Sequence, residues 1–140
     1  MPEVKAAAGP VLLVDDDETF VDLVARQLEA HGYQVVTAGS VEACRRLLDA
    51  GLRPAILLLD INLPAETGWS LLREGRLMQA GSPPVVILSG TEIRPQRLRE
   101  FGVAGYLPKP VPMALLTSCV ARLTGAPDAI GAPGSSEELG

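Results

Sequence analysis

The sequence predicts an α/β fold, a doubly wound parallel sheet of five strands with helices on both faces. Three observations carry this. Five short apolar runs of strand length alternate with segments that repeat apolar residues at helical spacing. The runs are continuous rather than alternating, as in strands buried on both faces. Four of them end on a polar residue, Asp15, Asp60, Ser89 and Lys109. Short connections and right-handed crossovers then put helices on both sides of one sheet.

Pro10–Val14 (PVLLV) is the first strand and runs into Asp15 and Asp16. Thr19 to Ala30 follows as a helix with Phe20, Leu23, Val24 and Leu28 on one face, its N-terminus capped and charged by Asp17 and Glu18. Tyr33 to Ala38 is a weaker, Val-rich strand. Ser40 caps the second helix, with Val41, Cys44, Leu47 and Leu48 inward. Ala55–Leu59 is the third strand, and Gly68 to Ala80 the third helix, carrying Trp69, Leu71, Leu72 and Met78. Val85–Leu88 is the fourth strand, followed by a short, weakly apolar helix over Pro95–Phe101. Gly105–Pro108 is the fifth. Pro112 opens the last helix, where no backbone donor is needed, and Leu115, Leu116, Val120 and Leu123 form its stripe. Gly32, Gly51, Gly81 and Gly102 follow the first four helices as C-terminal caps. Residues 1–9 and 125–140 have no core-forming period and read as flexible segments flanking one domain at 10–124.

A chain of 140 residues, 47% hydrophobic and 21% charged, has enough apolar material for one buried core. Its net charge of -5 argues against direct nucleic-acid binding, which needs Lys and Arg to neutralise phosphates. No apolar run approaches ~18 residues, so no membrane span is expected. Residues 1–9 contain too short an apolar stretch for a signal peptide. The expected compartment is the cytoplasm. Cys44 and Cys119 sit in apolar helical stripes and read as buried thiols in a reducing environment. With His31 the single histidine, zinc and Cys–His nucleophile chemistry are disfavoured.

In an open parallel sheet, ligands bind at the carboxyl ends of the strands. If the first, third, fourth and fifth strands lie side by side, Asp15, Asp16, Asp60, Ser89 and Lys109 share one pocket. Three ionised carboxylates repel one another, so compensation is needed. Lys109 supplies one charge, and a divalent cation with oxygen ligands, Mg²⁺, suits the rest. A carboxylate beside such a cation and an ammonium is a site for phosphoryl transfer. Ten of the 12 basic residues are arginine, so a lysine at a strand end between Pro108 and Pro110 suggests a need for a compact point charge.

Residues 10–18 (PVLLVDDDE), 59–68 (LDINLPAETG), 85–91 (VVILSGT) and 106–110 (YLPKP) resemble, in order and spacing, the four signatures of the receiver domain of two-component response regulators. The resemblance spans roughly residues 10–124 and is similar to the chemotaxis response regulator. It implies a flavodoxin-like (βα)5 sandwich with strand order 2-1-3-4-5. It implies that Asp60 is the phosphoacceptor, attacking a phosphohistidine on a partner. Mg²⁺, for which Mn²⁺ could substitute, would be held by Asp16 directly, by Asp15 largely through water, by Asp60, and by the backbone carbonyl of Asn62. Ser89, Gly90 and Lys109 would bind the phosphoryl group. Ser89 and Tyr106 would form the switch, and Pro64, Gly68 and Pro110 the structural turns, with a cis bond at Lys109–Pro110. Asn62 and Thr91 occupy positions that tune phosphoryl lifetime, and neither is acidic here.

Two departures stand out. Ser89 replaces the commoner threonine and keeps the hydroxyl. Pro108 removes a ladder donor from the last strand, which an edge strand tolerates. Trp69 reads as helix packing. Arg94, Arg97 and Arg99 read either as a solvated helix face or as part of a partner surface. The implied partners are a cognate histidine kinase or phosphotransfer protein and a downstream protein or fused output domain, with a homodimer on phosphorylation left open. The chain would be a signalling phosphoacceptor and not an enzyme with turnover, switching the surface around its fourth helix, fifth strand and fifth helix. A phosphorylation-independent interaction module is the alternative. A phosphatase or small-molecule phosphotransferase would need a cap and substrate pocket for which there is no room. A stand-alone receiver and a fragment of a longer regulator both remain open.

Overall fold

The computed structural model describes residues 9–79 and 81–125. Within them the elements alternate: β1 (Val11–Val14), α1 (Glu18–Ala30), β2 (Val35–Ala38), α2 (Val41–Asp49), β3 (Ile56–Asp60), α3 (Gly68–Arg73), a 3-10 turn (Arg76–Met78), β4 (Val85–Ser89), α4 (Pro95–Glu100), β5 (Gly105–Pro108) and α5 (Met113–Thr124). The five strands form one parallel sheet in the order β2-β1-β3-β4-β5, the flavodoxin-like arrangement. Apart from Gly9 and Gly125, the segments expected to be flexible lie outside the described residues, as does Ala80 at the expected end of the third helix. No helix among the described residues is long and apolar enough to cross a membrane.

Strand residues alternate between two cores. Leu12, Val14, Leu57, Leu59 and Ile87 pack with Cys44, Leu71 and Leu72 from α2 and α3. Leu13, Ile56, Leu58, Val86 and Leu88 pack with Val24, Leu28, Leu116 and Val120 from α1 and α5. Burial of each such side chain is favourable by about 1.5–3 kcal/mol, which explains why every residue of β1, β3 and β4 is apolar except the last of β3 and β4.

The N-terminal capping expectations hold, whereas Gly81 does not cap the third helix, which closes at Glu74. The Asp17 carboxylate accepts from the Phe20 N–H at 3.2 Å, and Ser40 Oγ from the Ala43 N–H at 3.0 Å. Pro108 lies on the edge strand, opposite Ser89. Both cysteines are free and buried.

Three expectations are corrected. The third helix does not run from Gly68 to Ala80. It stops at Arg73, Gly75 turns left-handed at φ 84°, and a separate 3-10 turn buries Leu77. A left-handed residue cannot sit inside a right-handed helix, and glycine adopts that conformation at no steric cost. Tyr33 and Gln34 precede β2 rather than joining it. Leu23 and Leu115 are about half exposed, because α1 and α5 bury a narrower strip than their apolar periodicity suggests.

Candidate phosphorylation site

The strand registers build the site. Val14 of β1 pairs with Leu59, so the next residues, Asp15 and Asp60, stand side by side. Asp60 pairs with Leu88, and Ser89 with Pro108, which leaves Ser89 and Lys109 at the same end of the sheet. Lys109 is anchored by its N–H to the Ser89 carbonyl at 2.8 Å, and the Lys109–Pro110 bond is cis.

Asp15, Asp16 and Asp60 each offer a carboxylate oxygen, and these lie within 4.8 Å of one another. Asp15 and Asp60 are buried and Asp16 is exposed. Lys109 Nζ bonds Asp15 Oδ2 at 2.6 Å and reaches Asp60 Oδ2 at 3.5 Å. The other oxygens are held by backbone: Asp15 Oδ1 accepts from the Asp17 N–H, and Asp60 Oδ1 from the Asn62 N–H, each at 3.0 Å. Burial pushes the Asp60 carboxyl above its ordinary range; the Asn62 N–H opposes this, the Asp15 charge adds to it, and Lys109 opposes it. Burial lowers the Lys109 ammonium, but the Asp15 hydrogen bond and charge, with Asp60, outweigh that and raise it. Three hard oxygen donors with one exposed edge fit a partly hydrated divalent cation.

The hydroxyl of Ser89 is turned to its own loop. It donates to the Thr91 carbonyl at 2.8 Å and accepts from the Thr91 N–H at 3.0 Å. The Tyr106 hydroxyl donates to the same carbonyl at 3.3 Å. The Asn62 side-chain amide spans the gap with long contacts to Ser89 Oγ (3.4 Å) and Thr91 Oγ1 (3.5 Å). A Cβ at Gly90 would meet nothing within 4 Å, whereas one at Gly68 would stand 2.7 Å from the Asp60 carbonyl oxygen. Gly68 is therefore fixed by close approach to the site. The loop from Asp60 to Gly68 turns tightly at Ala65 (φ 67°), where the Pro64 carbonyl accepts from the Glu66 N–H at 2.7 Å.

Asp15, Asp16, Asp60 and Lys109 come together as the sequence suggests, while Ser89 stands at the same end of the sheet with its hydroxyl held by Thr91. Two neighbours were not legible there. Phe20, read as a core residue, places its ring centroid 4.5 Å from Lys109 Nζ. Arg45 of α2 grips Glu66 bidentately at 2.9 and 2.6 Å, and Glu66 also accepts from Ser70 Oγ at 2.6 Å. Neither contact has a local sequence signal, since the partners come from different elements. The readings of the α4 arginines and Trp69 are sharpened. The Arg97 guanidinium sits 4.7 Å over Trp69, which stacks on Phe101 at 5.2 Å, while Arg94 and Arg99 are exposed.

Residues 11–121 match the family model described as the response regulator receiver domain. Protein PetR of Rhodobacter capsulatus is 36% identical over 132 residues, covering 92% of this chain and 54% of PetR. The transcriptional regulatory protein CpxR of Klebsiella pneumoniae is 36% identical over 102 residues, covering 71% of this chain and 42% of CpxR. The chain thus spans about half the length of these curated relatives. A response regulator from Burkholderia pseudomallei, solved with a phosphorylated aspartic acid, calcium ion and citrate, superposes with a TM-score of 0.69 at 26% identity, covering 82% of this chain and 66% of that one. With its sheet order, its acidic pocket and this match over most of its length, the chain belongs to the receiver-domain family of response regulators.

Proposed function

We propose that Asp60 is the phosphoacceptor of a receiver unit spanning residues 10–124, charged by a histidine kinase or phosphotransfer protein in the cytoplasm. The observation that carries this is the convergence of Asp15, Asp16 and Asp60 within 4.8 Å, with the Lys109 ammonium against two of them. Asp15, Asp16, Asp60 and the Asn62 carbonyl would hold Mg²⁺, or Mn²⁺ in its place. That ion supplies positive charge to the transferring oxygens.

The chain's own groups do the rest. The Asn62 N–H fixes Asp60 Oδ1, so that Oδ2, the oxygen facing Lys109, is free to attack phosphorus. An O–P bond forms, the N–P bond of the phosphohistidine breaks, and the imidazole leaves with the bonding pair. Lys109 moves its charge from the carboxylates onto the phosphoryl oxygens. Ser89 gives up the Thr91 carbonyl and donates to a phosphoryl oxygen, beside Gly90. Thr91 then shifts, Tyr106 loses its acceptor and packs inward, and the surface of α4, β5 and α5 changes. The chain catalyses only its own phosphorylation and dephosphorylation. The altered surface controls a downstream protein or a fused output domain.

Acetyl phosphate with Mg²⁺ tests this reading. The expected result is a mass increase of one phosphoryl group, absent in Asp60→Asn. Full labelling of Asp60→Asn would overturn the assignment. No labelling of a folded wild-type chain would favour the phosphorylation-independent interaction module.

A further inference from the structure

Lys109 ends a flexible four-carbon stem, and something must keep its ammonium at the pocket. Asp15 and Asp60 take two of its directions, at 2.6 and 3.5 Å. A third side is closed by an aromatic face, with the Phe20 ring centroid 4.5 Å from Nζ. This is within the ~6 Å at which a ring quadrupole attracts a cation. The ring is itself well placed to hold. Phe20 lies in the first turn of α1, its N–H bonded to the capping Asp17, and it packs against the core cluster shared by α1 and α5.

We infer that Phe20 is a positioning residue for Lys109, its ring face holding the ammonium over the phosphoacceptor pocket. The inference rests on the reading of Lys109 as the phosphoryl-binding cation. A ring face differs from a carboxylate in one useful respect: its attraction is broad and weakly directional. Lys109 can therefore slide from Asp15 and Asp60 onto an incoming phosphoryl group without losing the contact. A third carboxylate in that place would hold the ammonium back.

Variants at Phe20 separate ring electronics from packing. Leucine keeps an apolar side chain on the helix and removes the π face. Tyrosine keeps the face. Stepwise fluorination of the phenylalanine ring weakens the quadrupole with little change of shape. The first readout is the upfield ring-current shift of the Lys109 ε-methylene protons, recorded by NMR with no phosphoryl donor present. The second is the phosphorylation rate with acetyl phosphate at fixed Mg²⁺. Phe20→Leu should lose the shift and slow labelling by about two- to tenfold, the range expected for a partly exposed cation–π contact. Phe20→Tyr should keep the shift and stay within about twofold of wild type, and the rate should fall stepwise with fluorine number.

Equal losses in the leucine and tyrosine variants, a rate indifferent to fluorination, or a folded Phe20→Leu chain that labels at the wild-type rate would overturn the inference. The two readouts also fail separately. A wild-type chain that takes no label sinks the phosphoacceptor reading, while absence of the ring-current shift sinks the role of Phe20 on its own.

Discussion

Replacing Asp60 with asparagine should stabilise the fold even as it removes the proposed function. Asp60 and Asp15 oxygens lie within 4.8 Å, which at an effective dielectric of 20 is a repulsion of at least about 3.5 kcal/mol. The Lys109 ammonium at 3.5 Å returns about 4.7 kcal/mol on the same scale, and shares that charge with Asp15. Asp16 adds a further repulsion, weakened by its exposure. The charge terms therefore nearly cancel, and the burial of Asp60 decides the sign. Its carboxyl is raised for that reason first, so the ionised form is disfavoured in the folded state. The penalty sets in as pH climbs from the unfolded carboxylate range through the raised folded value. Asparagine removes it and can still accept from the Asn62 N–H. The expected gain is about 1–2 kcal/mol, or several degrees in Tm for a domain of this size. Thermal and urea unfolding at pH 7 without divalent cations measure it. Added Mg²⁺ should stabilise wild type and not the variant, which narrows the gap. A destabilised Asp60→Asn chain, or equal Mg²⁺ stabilisation of both, would refute the reasoning.

Gly68→Ala puts a methyl 2.7 Å from the Asp60 carbonyl oxygen and 3.0 Å from Ile61 Cδ1, so backbone must move. A loss of about 1–3 kcal/mol is expected by urea unfolding, and no loss would show that the loop yields freely. The Arg45 guanidinium holds Glu66 down to about 2 from an ordinary 4.5, so this tie is fully present above pH 4.5 and is lost as pH falls towards 2. Glu66→Gln should flatten the stability–pH curve in that window, and an unchanged curve would contradict the tie. Burial pushes the Cys44 thiol up to about 11, so iodoacetamide should leave it unmodified at pH 8 unless the chain unfolds.

Much of the site was legible because a parallel sheet aligns strand ends. Once β1, β3, β4 and β5 are neighbours, Asp15, Asp60, Ser89 and Lys109 must meet, whatever the loops do. Gly68 was legible as a turn residue, but its cause, the Asp60 carbonyl behind it, is a tertiary fact. The broken third helix was hidden because its apolar spacing continues past Gly75, and an isolated glycine is tolerated in a helical pattern. Periodicity gives the direction of an apolar face and not how much of it a neighbour covers, hence the exposed Leu23 and Leu115. Phe20 against Lys109 and Arg45 against Glu66 join elements distant in sequence, so no local pattern encodes them.

The side chain that carries the phosphoryl group can be identified directly. An acyl phosphate is reduced by borohydride, converting the modified aspartate to homoserine, which peptide mass spectrometry locates. After treatment with acetyl phosphate and Mg²⁺, homoserine should appear at position 60 and at no other aspartate. Homoserine at Asp15 or Asp16, or a stable phosphoryl group that borohydride leaves intact, would contradict the central claim.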